Sequence, residues 1–423
     1  MPDGTATAHH YIPKIATVWR EGYSTHAFRK DVLAALTVAI VALPLSMAIA
    51  VASGVSPERG LYSAIVGGFV VSALGGSRFQ IGGPAGAFIV LVSTTVATFG
   101  LQGLLIAVFL SGIFLTALGL LRIGSLIRHI PPTVTVGFTF GIAIIILASQ
   151  IKDLCGLTLV EAEPSSLLPK LYVLGKSLST ISFLAFAVGS ASAAVIFVTR
   201  RWRPEWPAML IAVLLASLAV TLLRLPIETI GTHFGGIPRG LPLPRLPDLS
   251  IPAILQVLPT ALSFTLLGGV ESMLSAKIAD GMTQRKHRYN MELVAQGVAN
   301  IATALFGGIS VTGTIARTAT NVRAGACSPI SGMMHAAFLL IFIVVAAPLA
   351  NFIPLSALAG VLVVVCWNMA EKEEFLRLMS NWRSAIVLGA TLGLTITRDL
   401  TTGIVVGCIL AMFVGLWERK PAG

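Results

Sequence analysis

The chain has 423 residues, of which 55% are hydrophobic and only 11% charged, and its mean hydropathy is +0.88. Soluble domains carry about 25% charged residues, and outer-membrane barrels show segments of about 10 residues with alternating polarity. Long unbroken apolar blocks exclude both classes. The net charge of +11 sits in short loops between those blocks, as topology signals do, which argues against a nucleic-acid partner.

In chain order, residues 1–30 are polar and charged and form a cytoplasmic N-terminal segment with no cleavable signal peptide. Fourteen apolar segments follow, at about 31–53, 61–76, 84–98, 101–121, 132–150, 178–199 and 207–223, then 254–279, 290–307, 312–325, 328–349, 354–369, 384–397 and 401–417. The reading is therefore an all-α polytopic membrane protein. A proline-rich stretch, 224–253, with Pro226, Pro238, Pro242, Pro244 and Pro247, reads as a rigid connection between two seven-span repeats, 31–223 and 254–418. A short tail, 419–423, closes the chain. With fourteen spans and both termini inside, most Lys and Arg residues fall on the cytoplasmic side, as the positive-inside rule requires. An odd repeat must invert in the membrane, so the two halves are expected to have opposite orientations.

Two segments are too short to cross alone. Residues 84–98 would make a helix of about 22 Å against a hydrocarbon core of about 30 Å, and 312–325 is no longer. Extended chain must complete each crossing, buried in protein or lining a cavity. The two segments hold corresponding places: Pro84 lies 40 residues after Pro44, and Val311 lies 40 after Glu271. Interrupted helices at matched positions of two halves point to a transporter's binding site. A helix N-terminus presents unpaired N–H groups and about half a positive charge, so two such ends facing each other would hold a small anion. Pro84 is expected in the first turn of one short helix, where a missing N–H costs nothing. Gly82, Gly83 and Gly86 let backbone approach a ligand, Thr312 and Thr314 add hydroxyl donors at the other end, and Gly313 between them is counted with the same site.

Glu271 lies deep in the eighth span, and an intramembrane carboxylate is functional by default. It reads as a proton carrier, or as a neutral, hydrogen-bonded glutamate tying the eighth span to a neighbour. Ser275, one turn on, shares its face. Arg317 lies inside a span about one turn after the second short helix begins, either as the positive field of an anion site or as a structural partner for Glu271 or backbone carbonyls. Pro44 and Met47 would kink the first span towards the site, or serve as a packing kink. His335, alone in an apolar span, reads as a satisfied packing residue. Cys155, Cys327, Cys366 and Cys408 show no CxxC pair and read as small apolar fillers; the seven histidines have no metal spacing. Gly175-Lys176-Ser177 lacks the earlier glycine of a phosphate-binding loop. Neither a catalytic constellation nor a cofactor motif is present, so the chain does not read as an enzyme.

The stretch from Asp31 through Val41-Ala42-Leu43-Pro44-Leu45-Ser46-Met47 to Leu61-Tyr62 resembles the SulP/SLC26 family of anion transporters. So do Gln80-Ile81-Gly82-Gly83-Pro84-Ala85-Gly86-Ala87 and the run from Asn290-Met291-Glu292 through Leu305-Phe306-Gly307-Gly308 to Arg317. The resemblance covers nearly all of 20–418. It implies seven-plus-seven inverted repeats, with a core of spans 1–4 and 8–11 and a gate of spans 5–7 and 12–14. It further implies homodimers, a bacterial plasma membrane and elevator-like alternating access. Family members place a coupling-ion carboxylate at the position of Glu271 and an arginine at that of Arg317. They usually carry a cytoplasmic STAS domain after the last span, whereas this sequence stops a few residues past it. Ala316 stands where channel-like relatives have a serine, and Ala85 where many have an aromatic residue, which suggests a roomier pocket. The expected activity is proton-coupled symport of a dicarboxylate such as fumarate or succinate, or of sulfate. Sodium-coupled bicarbonate or sulfate transport, or an anion channel, are the alternatives.

Overall fold

The computed structural model describes residues 11–124, 131–159, 164, 167–204, 206–398 and 400–415; the 419–423 tail lies outside them. The elements are helices joined by short links. They run α1 (Lys14–Glu21), α2 (Thr25–Ala52), α3 (Pro57–Tyr62), a π turn at Ser63–Gly67, α4 (Gly68–Leu74), β1 (Gly82–Gly83), a 3-10 turn at Gly86–Phe88 and α5 (Ile89–Leu120). Next come α6 (Pro132–Cys155), α7 (Leu167–Lys176), α8 (Phe183–Trp202), α9 (Ala208–Leu222), α10 (Ile230–Phe234), α11 (Ile251–Thr283) and α12 (Tyr289–Leu305). The remainder are β2 (Thr312–Gly313), α13 (Ile315–Arg323), α14 (Ile330–Ala350), α15 (Leu355–Met369), α16 (Lys372–Met379), α17 (Trp382–Thr397) and α18 (Leu400–Phe413). Among the described residues, seven helices are long and apolar enough to cross a membrane by themselves, those starting at Thr25, Gly86, Pro132, Phe183, Ile251, Ile330 and Leu355.

Local chemistry sets several of these boundaries. Ser24 accepts from Ala27 N at 3.2 Å and caps α2. Pro44 then withholds one helical hydrogen bond in mid-span. Gly100, at φ +67°, breaks α5 into two helices at the join expected between the third and fourth segments. The expected connection 224–253 contributes the short α10, and its last residues, from Ile251 on, already belong to α11, where Pro252 sits in the first turn; the rest has little regular structure.

The chain forms two compact units. The first comprises Met1–Phe88, Thr95–Arg128 and Ile230–Phe352; the second comprises Ile89–Thr94, His129–Thr229 and Ile353–Gly423. The first unit holds segments one, two, four and eight to eleven, and the second holds five to seven and twelve to fourteen; the third segment is divided, Ile89–Thr94 falling in the second unit. In the first unit α2 packs on α14, and α12 on α4. Val71, Ala299 and Val311 form one of its buried apolar contacts. In the second, α6 packs on α15 and α17. There Gly137 lies against Leu388 and Thr391, and Gly360 against Gly189, so the backbones approach closely. Phe140 stacks on Phe375 with ring centroids 4.4 Å apart.

Candidate anion site

The two glycine-bounded segments meet inside the first unit. β1 and β2 pair antiparallel, Gly82 opposite Gly313 and Gly83 opposite Thr312. Thr314 donates its N–H to Ile81 O at 3.0 Å, and its hydroxyl donates to the same oxygen at 3.2 Å. Extended backbone in a membrane interior must find partners for every polar group, and side chains from neighbouring helices supply them. Asn300 accepts from Val311 N (2.9 Å) and donates to Val311 O (2.8 Å), an oxygen that also receives Gln296 Nε2. Ser63 accepts from Ile309 N at 2.7 Å, and Arg59 donates to Gly307 O at 2.6 Å. Thr318 Oγ1 accepts from Ile81 N at 3.1 Å, and Asn321 donates to Phe79 O at 2.9 Å.

Both helix starts differ in detail from expectation. Pro84 precedes the first short helix instead of occupying its first turn: Ala85 opens the 3-10 turn by accepting from Phe88 N at 3.1 Å, and the α-helix begins at Ile89. The pairing of Gly82–Gly83 with Thr312–Gly313 holds the chain extended up to that point. For the same reason Thr312 and Gly313 are strand residues, and Thr314 is the N-cap of α13.

Arg317 projects from the first turn of α13 and is only 1% exposed. Its Nη2 donates to Ser46 Oγ at 3.0 Å and lies 3.4 Å from Pro84 O. Among the described residues its Nε and Nη1 have no hydrogen-bond partner. Gly83 makes room for it, since a Cβ there would overlap Nη1. The guanidinium thus stands where the extended segments cross, with the N–H groups of two nitrogens, Nε and Nη1, unspent. A buried, hydrogen-bonding cation at that point is suited to a small anion.

α11 supplies another wall. Thr312 donates to Gly268 O (3.1 Å), Gln80 to Ser272 Oγ (2.8 Å) and Ser275 to Thr318 Oγ1 (3.1 Å). Glu271 is buried on this helix, one turn before Ser275. α2 packs against α13. Its buried Pro44 and Met47 flank Ser46 in sequence, the residue that holds Arg317. Ala316 follows the α13 N-terminus directly and, unlike Arg317, is not buried.

A model of the sulfate permease family matches residues 28–390. The chain belongs to that family. It is 41% identical over 393 residues to the "Putative sulfate transporter YvdB" of Bacillus subtilis (strain 168), covering 92% of this chain and 74% of that protein. It is 29% identical to the bicarbonate transporter BicA of Picosynechococcus sp. (strain ATCC 27264 / PCC 7002 / PR-6), covering 90% and 69%. Among solved structures, the transmembrane domain of a cyanobacterial BicA superposes with a TM-score of 0.80 at 27% identity, covering 92% of this chain and 98% of that one. Murine Slc26a9 in the inward-facing state gives 0.88 at 17% identity, covering 99% and 73%, a likeness of fold. These relatives are named as transporters, and the chain is a polytopic member of an anion transporter family.

For this family member, sequence reasoning singled out the crossing but missed most of what supports it. Ser46, Ser63, Gln80, Gln296, Asn300 and Thr318 are buried polar residues within or beside apolar segments. Polarity in mid-span was the available signal. One expectation fails outright. His335 is completely buried, yet neither ring nitrogen has a hydrogen-bond partner among the described residues. Its helix, α14, packs on α2, α4 and the π turn, and Gly68 of α4, which has no side chain to offer a partner, stands beside the ring.

Proposed function

We propose that this chain is a secondary active transporter of a small oxyanion, bound where the two interrupted segments cross. The observation that carries this reading is Arg317, buried, tethered to Ser46, and with Nε and Nη1 unspent beside the β1–β2 pair. Thr312, Gly313 and Thr314 on one side, and Pro84, Ala85 and Gly86 on the other, frame the site. Pro44, Met47 and Ala316 complete its surroundings. Sulfate is the leading substrate, supported by the name of the 41% identical relative. A dicarboxylate is the second reading, supported by the small side chain of Ala85 at the tip. Glu271 carries the coupling proton, with Ser275 on its face. The runner-up is sodium-coupled uptake of bicarbonate or sulfate.

Elevator-type alternating access is supported by the residues of the crossing lying wholly within the first unit, which could carry them as a body. We place fourteen spans in two inverted seven-span repeats in a bacterial plasma membrane, both termini cytoplasmic, with the protein a homodimer. The test is uptake of labelled sulfate, bicarbonate and succinate into proteoliposomes under imposed proton or sodium gradients. Proton-driven uptake that Glu271→Gln abolishes is the expected result. A Glu271→Gln protein that still responds fully to the proton gradient would remove Glu271 from the mechanism.

A further inference from the structure

We infer that His335 is a second proton-binding group of the transport site, standing in line with Ser72 and Glu292 along one face of α4. The inference rests on the proton-symport reading above and adds a group to it.

The geometry is a row of positions on α4. Gly68, Ser72 and Gly75, the last just beyond the helix end, are spaced i, i+4 and i+7, so they share a face. A Cβ on Gly68 would stand 2.9 Å from Gly82 O and 3.9 Å from His335 Cε1, which puts the imidazole next to β1. One turn along, Ser72 Oγ occupies the space that a Cβ on Gly332 would take, and Gly332 lies three residues before His335 on α14. At Gly75 a Cβ would lie 3.3 Å from Glu292 Oε2. From residue 68 to 75 the row is about 10 Å long at the helical rise.

All three side chains are buried and have unspent hydrogen-bonding capacity. Among the described residues, His335 Nδ1 and Nε2, Ser72 Oγ and Glu292 Oε1 have no partner, although Glu292 Oε2 accepts from Ser77 N at 2.8 Å. Most buried polar groups in proteins are paired, and those that are not call for an explanation. Here an imidazole, a hydroxyl and a carboxyl in succession form a row of groups able to accept and donate protons. His287 and Asp280, hydrogen-bonded to each other at 2.7 Å, are within electrostatic reach of Glu292.

The charges around His335 explain how anion and proton would load together. α14 has no other titratable residue from Ile330 to Ala350; α2 has none from Val32 to Ala52; α3, the π turn and α4 contribute Glu58, Arg59 and Tyr62, all on α3. Asp31 faces the start of α14 but is engaged by Ser328 and Cys327 N. The remaining charge within electrostatic reach of the ring is Arg317. An imidazolium and a guanidinium repel each other in a shared interior, and a bound dianion between them removes that repulsion. A His335 ring nitrogen would take up one proton when the anion binds and give up that same proton when the anion leaves, so that one further proton crosses with each anion.

The test measures labelled sulfate, bicarbonate and succinate in proteoliposomes with membrane potential clamped at zero. Exchange without a gradient is compared with steady-state accumulation under one pH unit. Each coupled proton multiplies accumulation about tenfold per pH unit. His335→Gln should lower the steady-state accumulation ratio about tenfold. A His335→Gln ratio equal to wild type overturns the inference and leaves the proton-symport reading standing. Wild-type exchange that ignores the proton gradient, or no movement of any of the three anions, defeats that reading and this one with it. Should His335→Gln fail to fold, ¹⁵N-histidine spectra of the wild type decide. A buried imidazole that protonates on addition of the transported anion supports the assignment, and one that stays neutral refutes it.

Discussion

Gly83→Ala is the sharpest perturbation of the crossing, because it adds one carbon and no charge. Gly83 does not adopt a left-handed conformation, so alanine is acceptable to the backbone there. The new Cβ would overlap Arg317 Nη1, and the guanidinium would have to retreat by roughly 1 Å or more to regain contact distance. That retreat breaks the 3.0 Å bond to Ser46 Oγ and re-aims the unspent N–H groups of Nε and Nη1. A hydrogen bond to a charged group is worth about 1.5–3 kcal/mol, which corresponds to a loss of anion affinity of roughly ten- to a hundredfold. The assay is the concentration dependence of labelled sulfate exchange, together with the melting temperature in detergent. Gly393→Ala is the control, since nothing lies within 4 Å of the new carbon there. A half-saturation concentration for Gly83→Ala within twofold of wild type, in a protein that melts normally, would refute the assignment of Arg317 to the anion.

Further outcomes follow from the same hydrogen bonds. Asn300→Ala leaves Val311 N without its acceptor in a buried setting, at a cost of about 1–3 kcal/mol; thermal unfolding in detergent should show a clear fall in melting temperature, and an unchanged one would mean the extended segment is held by other contacts. Asp31→Ala removes the acceptor for Cys327 N (2.6 Å), Ser328 N (3.1 Å) and Tyr23 OH (2.7 Å), tying the start of α14 to α2. It should destabilise the first unit by at least about 3 kcal/mol, and Asp31→Asn, which keeps one acceptor, by less; equal melting for both would refute a capping role. Burial and the neighbouring Asp31 carboxylate push the Tyr23 phenol above its ordinary range, so it remains a donor throughout. Tyr23→Phe should therefore lower the melting temperature by the same amount at pH 7 and pH 9.5, and a difference that vanishes at the higher pH would contradict this.

Composition and spacing alone determined that the chain is an α-helical membrane protein, where its apolar segments lie, and that two interrupted segments belong together. These are local or one-dimensional properties: hydrophobic length, glycine and proline placement, and a repeat distance of 40 residues can be counted. Glu271 and Arg317 were legible for a related reason, since a charge inside an apolar block stands out wherever the chain carries it. Only the tertiary structure decided how the segments meet. The strand pairing of Gly82–Gly83 with Thr312–Gly313 joins residues some 230 positions apart in the chain, and it moves both helix starts a few residues beyond the positions suggested by proline and threonine preferences. Partners were likewise out of reach. Arg317 could have paired with Glu271 or with backbone, and its bond to Ser46 depends on α2 and α13 packing side by side. His335 looked like an ordinary packing residue because a sequence does not reveal whether a buried nitrogen finds a partner. That depends on which atoms the neighbouring helices bring to it, and here α4 brings glycine to the ring.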